Sequence, residues 1–316
     1  MSRLSSLPVC WITHPACRLH DMGADHPESP RRLDAIEDRL RVDGSGDFLQ
    51  RLPAPMAPSA ALERVHDAAH VARILTADTS VGEIQIDPDT LMNPHSLEAA
   101  LHAAGAGLLA VDEVLAGRAG LAFCAVRPPG HHAERARAMG FCFFNNIAVA
   151  AAHALASGVQ RVAILDFDVH YGNGTADIFK GDVRVLVCQT YQHPLYPHWA
   201  GALDAPNLVD VPLRAYSGSA AFRAAVTEHW LPRLESFQPE LLLVSAGFDA
   251  HELDPLAQLR FTTDDYRWVA SVIQGVAEAC CQGRVVAMLE GGYHLDALAN
   301  SVSAFLQPFL GEDLPG

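Results

Sequence analysis

The chain has 316 residues, half of them hydrophobic, with 22 Lys plus Arg against 37 Asp plus Glu and a formal net charge of −15. That length and apolar content are enough for a large core. The acidic balance, without any Lys/Arg-rich run, excludes a nucleic-acid footprint, and no apolar stretch is long enough to cross a bilayer, so neither nucleic acid nor membrane is an expected partner.

Short apolar strands alternate with longer helical patterns. In chain order the pattern predicts a strand at Val9–Thr13, helices at 30–41 and 96–116, and a strand at 121–126. A helix at 145–156 and strands at 162–168 and 183–188 follow, then a helix at 219–237 and a strand at Leu241–Ala246. The series closes with a helix at 263–282, a strand at Val285–Leu289 and a helix at Leu295–Leu310. Near-continuous apolar strands separated by helices read as an α/β fold, a mostly parallel central sheet with helices on both faces. No Gly- or Ser-rich linker and no internal repeat divides the chain, so one domain over 1–316 is expected. Gly105-Ala106-Gly107-Leu108-Leu109-Ala110 matches a dinucleotide fingerprint, but it sits inside a helical pattern and reads as close helix packing.

The seven cysteines, at 10, 17, 124, 142, 188, 280 and 281, form no CxxC pair. An odd number within apolar runs reads as reduced thiols. The N-terminus carries no charged segment followed by a long apolar one, so a cytoplasmic location is the expectation.

Ligands of open α/β sheets bind beyond the carboxyl ends of the strands. Four strand exits are rich in polar groups: RPPGHHAE (127–134), DFDVHYGNG (166–174), SAGFDAHELDP (245–255) and EGGYH (290–294). Asp168 and His170 are two residues apart, so an extended strand end puts both on one face, where they can chelate a divalent metal. Taken alone they would read as a helix cap and a surface histidine. Asp249, just past another apolar strand, is a candidate third ligand, and three protein ligands leave a position open for chemistry. His131 and His132 are ordinary as a lone pair, but beside a metal they become general acid/base candidates. Asp166 would favour the imidazolium of one histidine, and the neutral Asn173 would leave the other nearer an unperturbed base. Two glycines before Tyr293 permit a tight turn that aims the phenol inward as an oxyanion donor. An aromatic lid on the core is the plainer alternative.

Together these motifs resemble the histone deacetylase and acetylpolyamine amidohydrolase superfamily, with its arginase-like α/β fold. The resemblance runs from HPESPRRL (26–33) through RPPGHHAERARAMGFCFFNNIAVAA, DFDVHYGNGT and SAGFDAHELDPL to EGGYHLDAL. The HPExP start and Asn173 are closer to the class II and bacterial branch. The resemblance implies one zinc ion per chain, held by Asp168, His170 and Asp249. It implies His131 with Asp166 as electrostatic support, His132 as general base and then acid, and Tyr293 polarising the acyl carbonyl. Gly140 and Phe141 would line a narrow acyl-lysine tunnel, with Tyr196 facing Phe141. Arg32 corresponds to an arginine lining an internal acetate channel, and Asp89 falls near a substrate-gripping loop, with a turn or capping role as the alternative. The implied activity is removal of acetyl or other short acyl groups from N-acyl-lysine or N-acylated alkylamines, acting on a small-molecule or peptide substrate. A homo-oligomer stays open.

Three features depart from the family pattern. A structural potassium ion would be held by Asp166, backbone carbonyls and a strand residue, commonly Ser; the corresponding residue here is Cys188, followed by Gln189 and Thr190, and a thiol is a poor ligand for a hard cation. The mouth reads Leu195-Tyr196-Pro197-His198-Trp199, and Leu256 stands where the polyamine-selective relative has an acidic gatekeeper. Alternatives are an acetylpolyamine amidohydrolase for small substrates, a non-catalytic acyl-lysine binding module, and a two-manganese ureohydrolase, against which Asn173 argues.

Overall fold

The computed structural model describes residues 7–80, 82–198 and 204–311; Trp199 lies outside them. Along the chain come β1 (Val9–Thr13), α1 (Arg31–Val42), β2 (Leu49–Pro53), α2 (Ser59–Leu62), α3 (Ala68–Leu75) and the hairpin β3 (Ile84–Asp87) and β4 (Thr90–Met92). Then follow α4 (Ser96–Leu115), β5 (Leu121–Cys124), α5 (Asn146–Ala156), β6 (Val162–Asp166), α6 (Asn173–Phe179), β7 (Val185–Gln192) and β8 (Leu208–Leu213). The last third holds α7 (Ser219–Ala225), α8 (Leu231–Phe237), β9 (Leu241–Ala246), α9 (Thr263–Cys280), β10 (Val285–Leu289) and α10 (Leu295–Leu310).

Eight strands make one sheet in the order β2-β1-β5-β10-β9-β6-β7-β8, every pair parallel. The four central strands β5, β10, β9 and β6 are buried at every position. Complete burial explains their unbroken apolar runs, since each face needs an apolar side chain. Helices α4 and α5 pack together on the sheet, while α1, α10 and α9 form a second packed group. In α4, a Cβ at Gly105 would collide with Pro55 O and one at Gly107 would press on Ala150 and Met288, the close packing expected of this pair. Local signals fix the helix ends: the Asn145 side chain caps α5 by accepting from Ala148 N–H, and Thr262 with Asp265 forms a capping box on α9.

Several boundaries differ from the sequence reading. The strands expected at 121–126 and 162–168 stop at Cys124 and Asp166, because the polar loops take over there. The strand expected at 183–188 is shifted, running over Val185–Gln192, because its polar end pairs with β8. Strand β2 is an edge with exposed Gln50 and Arg51, so it has no apolar run to reveal it. The helix expected at 219–237 is continuous but contains a π turn over Val226–Trp230 before α8. Pro232 in the first turn of α8 lacks an N–H and clashes with the preceding turn, which accounts for the widening.

Candidate active site

The four polar loops leave β5, β10, β9 and β6, which are neighbours in the sheet. Parallel strands release their loops at one edge, so residues far apart in sequence meet above the centre of the sheet.

Asp166 Oδ1 accepts from Asp168 N–H at 3.0 Å, turning the chain as it leaves β6. Asp168 Oδ1 accepts from His170 N–H (2.8 Å) and Oδ2 from Gly291 N–H (2.8 Å). Asp249 Oδ1 accepts from Val169 N–H at 2.8 Å. The loops after β6, β9 and β10 are thus tied by their own carboxylates. His170 Nδ1 lies 3.0 Å from Asp168 Oδ1 and 3.2 Å from Asp249 Oδ2. One ligand atom from each of Asp168, His170 and Asp249 lies within 4.8 Å of the others, and all three residues are buried.

This donor set fits a divalent cation. Asp249 Oδ2 is sealed from solvent, and no donor makes a hydrogen bond to it; the His170 approach is close but misaligned. A buried carboxylate oxygen without a partner is costly unless a cation faces it. A Cβ at Gly247 or Gly291 would run into the Asp168 or Asp249 carboxylate, so only glycine lets these loops close around the group. In the protein alone, burial opposes charge on His170, yet the adjacent Asp168 and Asp249 carboxylates hold it at about 10. Burial and then the charge of Asp168 push Asp249 up.

The two histidines have different partners. His131 Nδ1 meets Asp166 Oδ2 at 2.9 Å, and burial is outweighed by Asp168, Asp166 and Glu290, which hold this imidazole well above its ordinary value. His132 Nδ1 meets Asn173 Oδ1 at 2.7 Å. Burial first, then the charges of His131 and His170, push His132 well below its ordinary value. Asn173 is oriented in turn by donating Nδ2–H to Glu134 Oε1 at 2.8 Å. The His132 ring lies on Gly140, where a Cβ would collide with it.

Tyr293 is set by Arg32 and by two groups that sequence reasoning passed over, Asp254 and Glu28. Its N–H donates to Asp254 Oδ2 (2.7 Å), and Leu256 N–H donates to Asp254 Oδ1 (3.0 Å). Burial and the charge of Asp249 raise Asp254 to about 7. Arg32 is fully buried, donates to Gly292 O (2.7 Å), Glu290 O (2.5 Å) and Glu28 Oε1 (3.1 Å), and lies 5.1 Å from the Tyr293 ring centre. It therefore braces the Gly291-Gly292 turn from behind. Glu290 receives Gly130 N–H, His131 N–H and the Ser245 hydroxyl, joining three of the loops. The Asp-Pro pair before Leu256 and the HPESP segment were the available signals for Asp254 and Glu28.

Above these groups is a pocket of about 250 Å³, lined by Asp89, His132, Gly140, Phe141, His170, Leu195, Tyr196, His198, Leu256 and Tyr293. Phe141 has φ 68°, a left-handed conformation that is strained for an aromatic residue. The hairpin holds it there: Gly140 N–H donates to Asp89 Oδ1 (3.1 Å) and Phe141 N–H to Thr90 Oγ1 (3.0 Å). Asp89 thus lines the pocket and also anchors the turn. Phe141 packs edge-on against Tyr293 and His26, while Tyr196 packs edge-on against His132 and His170.

A histone deacetylase domain profile matches residues 26–309 of this chain. The chain belongs to the histone deacetylase family. The histone deacetylase-like amidohydrolase of Pseudomonas aeruginosa is 40% identical over 297 residues, covering 91% of this chain and 76% of that protein. Human polyamine deacetylase HDAC10 is 38% identical over 308 residues, covering 91% of this chain and 45% of that protein. A crystal structure of the HDA15 HD domain superposes with a TM-score of 0.92 at 32% identity, covering 98% of this chain and 90% of that one. The chain is thus of a deacetylase and amidohydrolase family, and the fold is shared.

One expected position needs correcting within this family frame. Cys188 pairs with Leu165, whereas Asp166 pairs with Gln189. Side chains alternate along a strand, so Cys188 points to the face away from Asp166 and Gln189 to the same face.

Proposed function

We propose that this chain is a zinc-dependent amidohydrolase that removes acetyl or another short acyl group from N-acyl-lysine or an N-acylated alkylamine. The observation that carries the reading is the buried Asp168/His170/Asp249 group, with Asp249 Oδ2 unpartnered, at a pocket also lined by His132 and Tyr293. Zinc bound there would supply Lewis-acid polarisation of the acyl carbonyl and of the attacking water. His132, tied through Nδ1 to a neutral amide, leaves Nε2 to take the proton of the attacking water and return it to the leaving amine. His131, paired with Asp166, would support the developing negative charge. Tyr293 donates its hydroxyl to the oxyanion. Gly140, Phe141, Tyr196 and Leu256 confine a slim, unbranched acyl-amine.

The name of the human relative supports alkylamine substrates, while Leu256 argues against an acidic-gatekeeper route to polyamine selectivity. Among the described residues one group meets the requirements for a metal, which supports a single-metal amidohydrolase over a two-metal ureohydrolase. A binding module without catalysis is disfavoured because His131, His132 and Tyr293 are all in place. Seven free thiols, six of them buried, support a reducing compartment such as the cytoplasm. The test is a pair of variants: His132→Ala loses amine release but keeps its metal, and Asp249→Ala loses both. Full activity in either would sink the assignment.

A further inference from the structure

The resemblance implies a potassium ion beneath the loop that carries Asp168 and His170, and the residues here do not fit one. Asp166, Gln189 and Asp210 are direct neighbours across β6, β7 and β8, on one face of the sheet. Gln189 is buried; its Oε1 accepts from Gly172 N–H at 2.9 Å and its Nε2–H donates to Asp210 Oδ1 at 3.0 Å. The other Asp210 oxygen accepts from the Tyr171 hydroxyl at 3.1 Å. Both oxygens of Asp166 are also engaged, Oδ1 by Asp168 N–H and Oδ2 by His131.

Space and chemistry both argue against an ion. A Cβ at Gly172 would lie 2.5 Å from Asp166 Oδ2, 2.9 Å from Gln189 Oε1 and 3.3 Å from His131 Nδ1, so these groups already crowd one another. Gln189 turns an N–H donor towards Asp210, and a donor repels a cation. The thiol of Cys188 is on the opposite face, and burial pushes its pKa up, so it supplies no anionic ligand.

We propose that the Gln189 carboxamide replaces the monovalent cation in this chain, tying the metal-ligand loop to β8 through Asp210. Stability and activity are then independent of potassium. The inference concerns the loop's support and stands apart from the substrate reading, because its first readout is melting rather than turnover.

The experiment replaces N-methyl-D-glucamine chloride with KCl at constant ionic strength and follows the melting temperature and, separately, amine release. The wild-type protein should show no change in either. Gln189→Ser opens the space and supplies a hydroxyl, and should melt several degrees higher with KCl, as binding to the folded state requires. Gln189→Met fills the volume without hydrogen bonds and should melt lower in both salts, with no response to potassium. A wild-type melting temperature that climbs with KCl overturns the proposal. So does a Gln189→Ser protein that is folded by circular dichroism yet insensitive to KCl. If the serine variant does not fold, the wild-type titration decides alone.

Discussion

Glu28→Gln is the perturbation whose effect follows most directly from the buried charges. Glu28, Arg32 and Arg127 are all fully buried. Both Glu28 carboxylate oxygens receive the Arg127 guanidinium, and Oε1 also receives Arg32 at 3.1 Å. Arg127 further donates to Cys17 O and His20 O, each at 2.9 Å, so it cannot turn to solvent. Burial works against the Glu28 charge, but Arg127 and His20 together outweigh it and hold the carboxyl well below its usual range. Glutamine has the same shape but leaves two buried guanidiniums without a counter-charge and turns an N–H donor towards one of them. Breaking a buried pair from one side costs about 3–5 kcal/mol. Unfolding entropy of about 2.1 cal/mol/K per residue is roughly 0.7 kcal/mol/K for 316 residues, so the melting temperature should fall by about 5–8 °C at pH 7. The sign in pH follows from the depressed carboxyl. Its contribution is complete above the unfolded value of about 4.3 and is lost as pH falls through the folded value, so the gap between wild type and variant narrows in acid. Scanning calorimetry from neutral to acid pH measures both. A fall below about 2 °C at pH 7, or a gap that widens in acid, would refute the reasoning.

Asn173→Asp should move the acid limb of kcat/KM to higher pH by about one unit, because a new carboxylate beside His132 favours its charged form; Glu134, already 2.8 Å from Asn173, limits the shift. A pH-rate profile with an unmoved limb would contradict the base assignment. Tyr293→Phe should lower kcat by about 10²–10³-fold with little change in KM, as loss of one oxyanion donor does. Leu256→Glu should raise kcat/KM for acetylspermidine relative to an acetyl-lysine peptide, read as a ratio in one competition assay.

The site was more legible in sequence than its scaffolding. Asp168, His170, Asp249, the histidine pair and Tyr293 follow apolar runs, but Asp168 and His170 lie in the loop beyond β6, where carboxylate-to-backbone hydrogen bonds rather than strand alternation bring them together. The central strands were readable because burial on both faces demands unbroken apolar runs. Strand β2 and the shifted span of β7 were not, since an edge and a polar strand end are set by pairing partners rather than by local pattern. The same limit hid Gln189: reading a potassium ligand at Cys188 needed the register between β6 and β7, and a one-residue difference reverses the face. Asp254, Glu28 and Glu290 lie in motifs that mark their positions, but their partners are contacts made at long range that the motifs do not name.

The most direct test of the central claim is amine release by zinc-loaded protein on acetyl-lysine peptides, acetylputrescine and acetylspermidine, each with and without a chelator. The account predicts turnover on at least one of these amides that the chelator abolishes and zinc restores, with Asp249→Ala inactive and metal-free. Turnover that survives metal removal, or a zinc-loaded protein that hydrolyses none of them, would contradict it.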